Sequence, residues 1–399
     1  MSGRISTQGL YLQSLAAMLN QQAALARTQQ QVSTGRRFAT AADNPVAAAR
    51  ELDLSRSLKR IDQLQQNISV ANHRLSLEDN ALAEVTDTLQ RVRELAVLVN
   101  SDTNEGARDV IVEELDQLLS HLVQTANISD GEGGYLFAGF SAKAQPFVRD
   151  NTMVQYRGDQ GQRFLQIGSE RRVADGDSGA SVFQLLHNGN GTFTTRAAST
   201  NTGSAIVDNG ALRDASAWIP DNYKINFLTD TDYQVVDGGG VPILVDTYED
   251  GGVSSFNGID VSLSGPAAAG DSFEIDPSRY QDIFATVQDF MNAATGQSAD
   301  SGARAVFHSD MNSVLGNLDR ALEHIATVRT RVGTRLSALD DQGQLNLDSR
   351  LSLEITLSDV RDIDIIEAAS RLDLERVSLQ AAQQAFLRVQ NLSLFRLLG

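Results

Sequence analysis

Residues that carry much of the common site chemistry are absent or isolated in this chain. Its 399 residues include no cysteine, which excludes disulfide frameworks, thiolate zinc sites and cysteine nucleophiles. None of the five histidines has a second histidine or a cysteine at the spacing of a zinc-binding motif. They are His73, His121, His187, His308 and His324. We therefore predict no metal ion and no cofactor, and packing must supply the stability of the fold.

Long apolar runs and an excess of positive charge are also missing. No stretch approaches the roughly 20 apolar residues that span a bilayer, and residues 1–8 lack the apolar run of a cleavable signal peptide. The 51 acidic residues outnumber the 33 basic ones, which gives a net charge of −18. Such a chain repels a phosphate backbone. The sequence predicts no nucleic acid and no membrane as partner, and if the protein leaves the cell, we expect a route that does not read a cleavable signal.

Motifs of enzyme active sites are not found either. The glycine clusters at residues 131–134 and 238–240 lack the Lys-Ser/Thr of a phosphate loop, and no Gly-x-Ser-x-Gly sequence is present. Residues 175–179 carry only part of the ligand spacing of a calcium loop. We interpret these segments as turns, and Asp362 and Asp364 as exposed or capping charges. The sequence predicts a protein without catalytic activity; an enzyme or ligand-binding module in the central part is the alternative from a different class.

Proline and glycine are concentrated in the centre of the chain. Residues 142–285 contain five of the six prolines and the single tryptophan, Trp218, whereas both flanks have helical composition. Alternating side chains predict a hairpin of residues 152–157 with 163–167, and a second one of residues 223–227 with 231–236. The predicted fold class is mainly α with a β-rich insert. The predicted domains are a terminal assembly domain of 1–43 with 356–399, a helical rod domain of 44–141 with 286–355, and a β-rich outer domain of 142–285.

Apolar residues recur every three or four positions along both flanks. Eleven of twelve such positions from Ile61 to Val99 are apolar, with Glu78 as the exception. A second run extends from Met311 to Leu339 and is interrupted at Arg335. This spacing is typical of coiled coils, and a helix through residues 54–99 is about 70 Å long at 1.5 Å per residue. We predict a long coiled-coil rod in which the two arms pair.

The same spacing continues, with fewer large side chains, to both chain ends. Isolated helices of this kind are marginal in water, so we expect them to fold only when a partner covers their apolar faces. The predicted subunit- and partner-binding residues are Ile5, Leu12, Leu15 and Leu19 at one end and Ile365, Leu372, Leu379, Ala382, Phe386, Val389 and Phe395 at the other.

Two signature segments, one in each flank, resemble the bacterial flagellin family. They comprise residues 4–7, 32–37 and 41–49 at the N-terminal side and residues 357–368, 383–384 and 386–387 at the C-terminal side. Asn44 stands where the family more often has aspartate, and it serves equally well before Pro45 in a turn or helix cap. Within this family, residues 105–127, 133–140, 145–147 and 392–398 favour the junction branch over flagellin itself.

The resemblance implies an extracellular structural protein of the bacterial flagellum. Such a protein joins a hook-associated collar to the flagellin filament by helical self-assembly, with copies in head-to-tail contact; a flagellin subunit is the alternative. The implied partners are copies of itself, the neighbouring hook-associated protein and flagellin. The resemblance also implies export through the flagellar type III route, with export information in residues 4–31. A cytoplasmic chaperone is expected to cover residues 365–398.

Overall fold

The computed structural model describes residues 7–101, 108–131, 133–150, 153–296 and 300–395, and Ile5 lies outside them. The chain divides into two compact units. The terminal unit comprises residues 1–66 and 342–399, and the central unit comprises residues 67–341. Long N- and C-terminal helices flank a β domain. The predicted fold class is confirmed, while the predicted three-domain division stays a prediction.

In the described ranges, six α-helices account for both flanks. They are α1 (Thr7–Thr34), α2 (Pro45–Val99), α3 (Arg108–Ala126), α4 (Ile283–Thr295), α5 (Ser301–Arg361) and α6 (Ile365–Phe395). Proline is favourable at the first position of α2, where its missing N–H would have no helical partner. The Asn44 side chain accepts a hydrogen bond from the Ala47 N–H at 3.1 Å. The sequence prediction that Asn44 can cap this helix is therefore confirmed.

The segment between α3 and α4 contains short strands and one π-helical turn, Ala180–Gln184. The strands are β1 (Phe147–Asp150), β2 (Met153–Tyr156), β3 (Phe164–Gln166), β4 (Arg172–Ala174), β5 (Leu186–His187), β6 (Phe193–Ala197), β7 (Ile206–Val207), β8 (Ala211–Leu212), β9 (Tyr223–Phe227), β10 (Asp232–Val236), β11 (Pro242–Thr247), β12 (Val253–Phe256), β13 (Ile259–Ser264), β14 (Ser272–Pro277) and β15 (Tyr280–Gln281).

The larger sheet has the strand order β11-β10-β9-β14-β6, and its neighbours pair in antiparallel fashion. A second sheet has the order β12-β13-β7, with β8 also paired to β13. The turn between β12 and β13 is Asn257-Gly258, and both residues have positive φ angles, 43° and 80°. This is the backbone that a two-residue hairpin turn requires. The predicted hairpin of residues 223–227 with 231–236 is confirmed, because β9 pairs with β10.

The other predicted hairpin is wrong. Instead of joining each other, β2 pairs with β1 and β3 pairs with β4. The segment between β2 and β3 contacts residues 140 and 141 instead of forming a hairpin turn. The Asp159 carboxylate accepts hydrogen bonds from the Phe140 N–H, the Ser141 hydroxyl and the Gly161 N–H. Alternating side chains therefore identified both strands but not their partners.

Two hydrophobic cores lie in the central unit. The first contains the apolar seams of α2 and α5, together with side chains from the start of the β-rich segment such as Phe147, Ile167 and Phe183. The second is formed by strands of the two larger sheets and includes Phe193, Ile225 and Phe273. The segment between α3 and α4 thus contributes its first part, residues 147–186, to the helical core, and only its later part builds a core of its own.

Candidate assembly surface

The two signature segments meet where the terminal helices end and begin. After α1 ends, Gly35 adopts a φ of 69°, a conformation that glycine reaches without steric cost. The Arg37 N–H donates to the Arg361 carbonyl at 2.8 Å, and the Ile363 N–H donates to the Gly35 carbonyl at 3.0 Å. These bonds flank an antiparallel bridge between Arg36 and Asp362. The turn out of α1 is therefore tied to the break between α5 and α6, and we call residues 35–37 with 361–363 the clip.

Charged side chains reinforce the clip. The Arg361 Nε lies 2.7 Å from Asp362 Oδ1, and the Ser358 hydroxyl donates to Asp362 Oδ2 at 2.9 Å. Arg361 is the main reason why the pKa of Asp362 is lowered. Two residues later, Asp364 Oδ1 accepts hydrogen bonds from the Ile366 and Glu367 N–H groups. The prediction that Asp362 and Asp364 are exposed or capping charges is confirmed for Asp364, which caps α6.

The segment that leads from the clip into α2 is fixed by one carboxylate. Asp43 Oδ2 accepts hydrogen bonds from the Ala39 N–H, the Thr40 N–H and the Thr40 hydroxyl, at 3.2, 2.9 and 3.0 Å. The bond from the Thr40 backbone is the main reason why the pKa of Asp43 is lowered. Asp43 thus closes the turn and Asn44 starts the helix, which gives each polar residue of this signature a structural role.

The terminal helices α1 and α6 pack against each other. The rings of Tyr11 and Phe386 lie 5.2 Å apart. The more buried positions recur at intervals of three or four on each helix. They include Leu15, Met18, Leu25 and Thr28 on α1 and Ala368, Leu372, Leu379, Ala382 and Phe386 on α6. Part of the apolar spacing at the chain ends is therefore satisfied within one chain.

The predicted binding residues thus divide into two groups. Leu15, Leu372, Leu379, Ala382 and Phe386 are half-buried and belong to the more covered positions of the pair. Leu12, Leu19 and Ile365 are 58%, 54% and 62% exposed. Val389 and Phe395 lie in α6, but their side chains are outside the described part of the structure, as is Ile5.

Sequence reasoning missed further exposed apolar side chains in the terminal unit. They are Val46 and Leu52 on α2, Leu345, Leu347, Leu351 and Ile355 on α5, and Ile366, Leu374, Val377 and Leu387 on α6. Three of them, Leu347, Leu351 and Ile355, are four residues apart and so share one face of α5. This spacing is a usable sequence signal, but it lies outside the single seam that the heptad pattern defines. We call these side chains, with Leu12, Leu19 and Ile365, the outer apolar set.

Metal clusters and membrane-spanning helices do not occur in the described part of the chain. Within its ranges, no three histidine, aspartate or glutamate side chains are placed to hold a metal ion. Across those ranges, too, every helix is too short or too polar to cross a bilayer.

Known proteins resemble this chain along its whole length. Residues 5–142 match the bacterial flagellin N-terminal helical region, and residues 196–277 match the D2-like domain of flagellar hook-associated protein 1. Flagellar hook-associated protein 3 of Salmonella typhimurium is 25% identical over 395 residues, which cover 99% of both chains.

Two solved structures share the fold. The crystal structure of Xanthomonas campestris FlgL is 32% identical, with a TM-score of 0.72, and the match covers 76% of this chain and 99% of that one. The crystal structure of the flagellar junction protein FlgL from Legionella pneumophila is 30% identical, with a TM-score of 0.70, and the match covers 78% and 100% of the two chains.

The paired terminal helices, the inserted β domain and these matches define a structural protein of the bacterial flagellum. The relatives matched over nearly their whole length are hook-associated and junction proteins, which supports a junction role and not that of a flagellin subunit. The chain belongs to the FlgL family, that of flagellar hook-associated protein 3.

Proposed function

We propose that this protein joins the hook-associated part of the flagellum to the flagellin filament by self-association and carries out no chemical reaction. The observation that carries the proposal is the outer apolar set. Contiguous exposed apolar patches larger than a few hundred Å² mark interaction surfaces in soluble proteins. Here, large aliphatic side chains remain exposed on four long helices of the terminal unit. Full burial of such a side chain contributes about 1.5–3 kcal/mol, and covering the part of each that is still exposed contributes a corresponding fraction of this.

The outer apolar set favours head-to-tail contacts. Its members are distributed over α1, α2, α5 and α6, which allows one copy to offer different apolar surfaces to two neighbours. An interface between unlike faces is heterologous and repeats into rings or helical tubes. We propose that copies of this chain contact each other in this way and that the same helices meet the neighbouring hook-associated protein and flagellin at the two ends of the ring.

The predicted binding residues acquire two roles in this proposal. Leu12, Leu19 and Ile365 face outward and contact the next subunit directly. Leu15, Leu372, Leu379, Ala382 and Phe386 hold α1 against α6 and thereby shape the surface that the next subunit meets. Ile5, Val389 and Phe395 are proposed for the same subunit contacts from their positions in the sequence.

Electron microscopy of isolated flagella with gold-labelled antibodies tests the placement. The expected result is a narrow band of label between hook and filament, on the outside of the cell. An antibody against the flagellin of the same cells provides the control and should mark the filament along its length. Label of this protein along the filament, or its absence from isolated flagella, would contradict the proposal.

We propose in addition that α6 is covered by an export chaperone in the cytoplasm. Ile366, Leu374, Val377 and Leu387 are exposed apolar side chains on this helix, and such a helix suits an apolar groove. A pull-down from cytoplasm should lose the partner when residues 365–399 are removed. Export should fail when residues 2–31 are removed, while a chain shortened within the β domain serves as the control. A partner that persists, or export that continues, would refute the corresponding half.

A further inference from the structure

The two polar residues that interrupt the apolar seams contact the same short loop. Arg335 of α5 donates from Nη1 and Nη2 to the Asp177 carboxylate, each at 3.0 Å. The Asp177 N–H donates to Glu78 Oε1 of α2 at 3.2 Å. Glu78 is 1% exposed and Asp177 is 4% exposed. Two positions that the coiled-coil spacing reserves for apolar side chains therefore hold residues 175–177 against the helices.

The charges around this loop do not balance when every group is ionised. Arg335 pairs with Asp177, Arg74 of α2 pairs with Asp130 after α3, and Arg163 before β3 pairs with Asp175. Arg74 Nε also lies 3.3 Å from Asp175 Oδ2. Glu78 is the fourth carboxyl group beside three arginines, and within the described residues no cation forms an ion pair with it. Among these seven described side chains, the charges balance when Glu78 is protonated.

Burial makes this fourth charge costly. Removal of a carboxylate from water costs several kcal/mol when no cation compensates it. Burial, followed by repulsion from Asp177, raises the pKa of Glu78 to about 8, against the opposing influence of Arg335, the Asp177 N–H and Arg74. At neutral pH the group is therefore mostly neutral, and it still accepts the hydrogen bond from the Asp177 N–H.

The π-helical turn follows this loop after two residues and is itself packed into the helical core. The Gly179 N–H donates to the Phe137 carbonyl at 2.8 Å. Val182 and Phe183 of the π-helical turn are buried in the helical core. Release of residues 175–177 would loosen the point at which the β-rich segment is fastened to α2 and α5 within the central unit.

We propose that Glu78, Asp177 and Arg335 form a buried latch that fastens residues 175–177 to α2 and α5 and opens when alkaline solution places a second negative charge beside Asp177. Because Glu78 and Arg335 reach the same loop from two different helices, the latch also favours the observed register of these helices. The latch is closed at neutral pH and loosens as the pH rises through about 8.

Thermal unfolding of the full chain between pH 6 and 9.5, followed by circular dichroism, tests the latch. Glu78 holds its proton more tightly in the folded chain than in the unfolded one, so the wild-type melting temperature should fall as the pH rises towards about 8 and should level off above it. The Glu78→Gln variant keeps an uncharged acceptor and should lose most of this fall. Glu94→Gln replaces an exposed carboxylate on the same helix and should keep it. An equal fall in Glu78→Gln and wild type would overturn the proposal.

Two further measurements locate the effect in the chain, and the second of them uses the wild-type protein alone. At pH 9, hydrogen exchange of peptides covering residues 173–185 should be several-fold faster in wild type than in Glu78→Gln, with unchanged exchange in β9 and β10. Carbon NMR of wild type labelled at glutamate side chains should show one carboxyl group that titrates near pH 8. Equal exchange in the two proteins, or glutamate titration confined to the usual range near pH 4 to 5, would overturn the proposal.

Discussion

Helical segments of the two units use the same apolar spacing with different results. In the central unit, the seam residues Leu82, Leu89, Leu318 and Ile325 have no exposed surface. In the terminal unit, residues at the same spacing stay partly open to water, since Leu12 and Leu19 are 58% and 54% exposed and Leu372 and Leu379 are half-buried. Spacing defines an apolar face, whereas burial requires enough partner surface. The central unit finds that surface within one chain, and we infer that the terminal unit finds it in other subunits.

The largest effect is expected where the seam is complete. Leu89→Ala removes a fully buried side chain and should lower the free energy of unfolding by about 2–5 kcal/mol, measured by urea denaturation. Val97→Ala on the same helix is the matched control, because Val97 is half exposed, and it should change stability by less than about 1 kcal/mol. Similar losses of unfolding free energy in both variants would show that the seam side chains of the central unit stabilise the fold no more than side chains on the helix surface do.

A charge placed between α1 and α6 should destabilise the terminal unit and leave the central unit unchanged. Phe386→Asp places a carboxylate beside Tyr11, where desolvation costs several kcal/mol unless the charge is paired. Motility should fail, and the helical signal of the terminal helices should fall, while the main thermal transition of the central unit is kept. Phe386→Leu retains an apolar contact and should retain motility. If the main transition shifts down as well, α6 stabilises the central unit and the comparison fails.

Substitutions in the outer apolar set should impair assembly without changing the stability of the isolated chain. Leu374→Asp exchanges an exposed apolar side chain for a charge that the next subunit must desolvate. Circular dichroism and melting temperature of the purified protein should stay as in wild type, whereas incorporation into flagella should be lost. Leu374→Met keeps an apolar side chain of similar volume and should assemble. Normal incorporation of Leu374→Asp would remove this residue from the proposed interface.

The sequence predicted much of this contrast but not its details. The spacing from Ile61 to Val99 identified α2, but the helix begins at Pro45 and not near residue 54 as predicted, and Asn44 was predicted only for a turn or a helix cap. The pairing of β2 and β3 was missed, because alternation assigns side chains to faces and leaves the partner strand open. Glu78 and Arg335 were treated as interruptions, since a linear pattern cannot show that two distant exceptions reach one loop. Which face of α6 meets α1 likewise depends on the tertiary packing.

The smallest effect is expected at the clip, where the Asp362 side chain is 38% exposed. The Arg361 side chain, followed by Ser358, lowers the pKa of Asp362 below its usual value of 3.8. A carboxyl group whose pKa is lowered by folding stabilises the fold above its unfolded value, and this contribution disappears as the pH falls through the folded value. Asp362→Asn should therefore weaken the terminal unit slightly at pH 7 and low salt, and the difference from wild type should vanish at low pH, below the folded-state pKa.

Asp359→Asn, which removes an exposed carboxylate three residues earlier, should match wild type throughout. Helical circular dichroism at stepwise lower pH measures the difference. A difference that persists unchanged at the lowest pH would show that Asp362 acts through the shape of the clip and not through its charge, because protonated aspartate and asparagine are then both uncharged and close to equal in size.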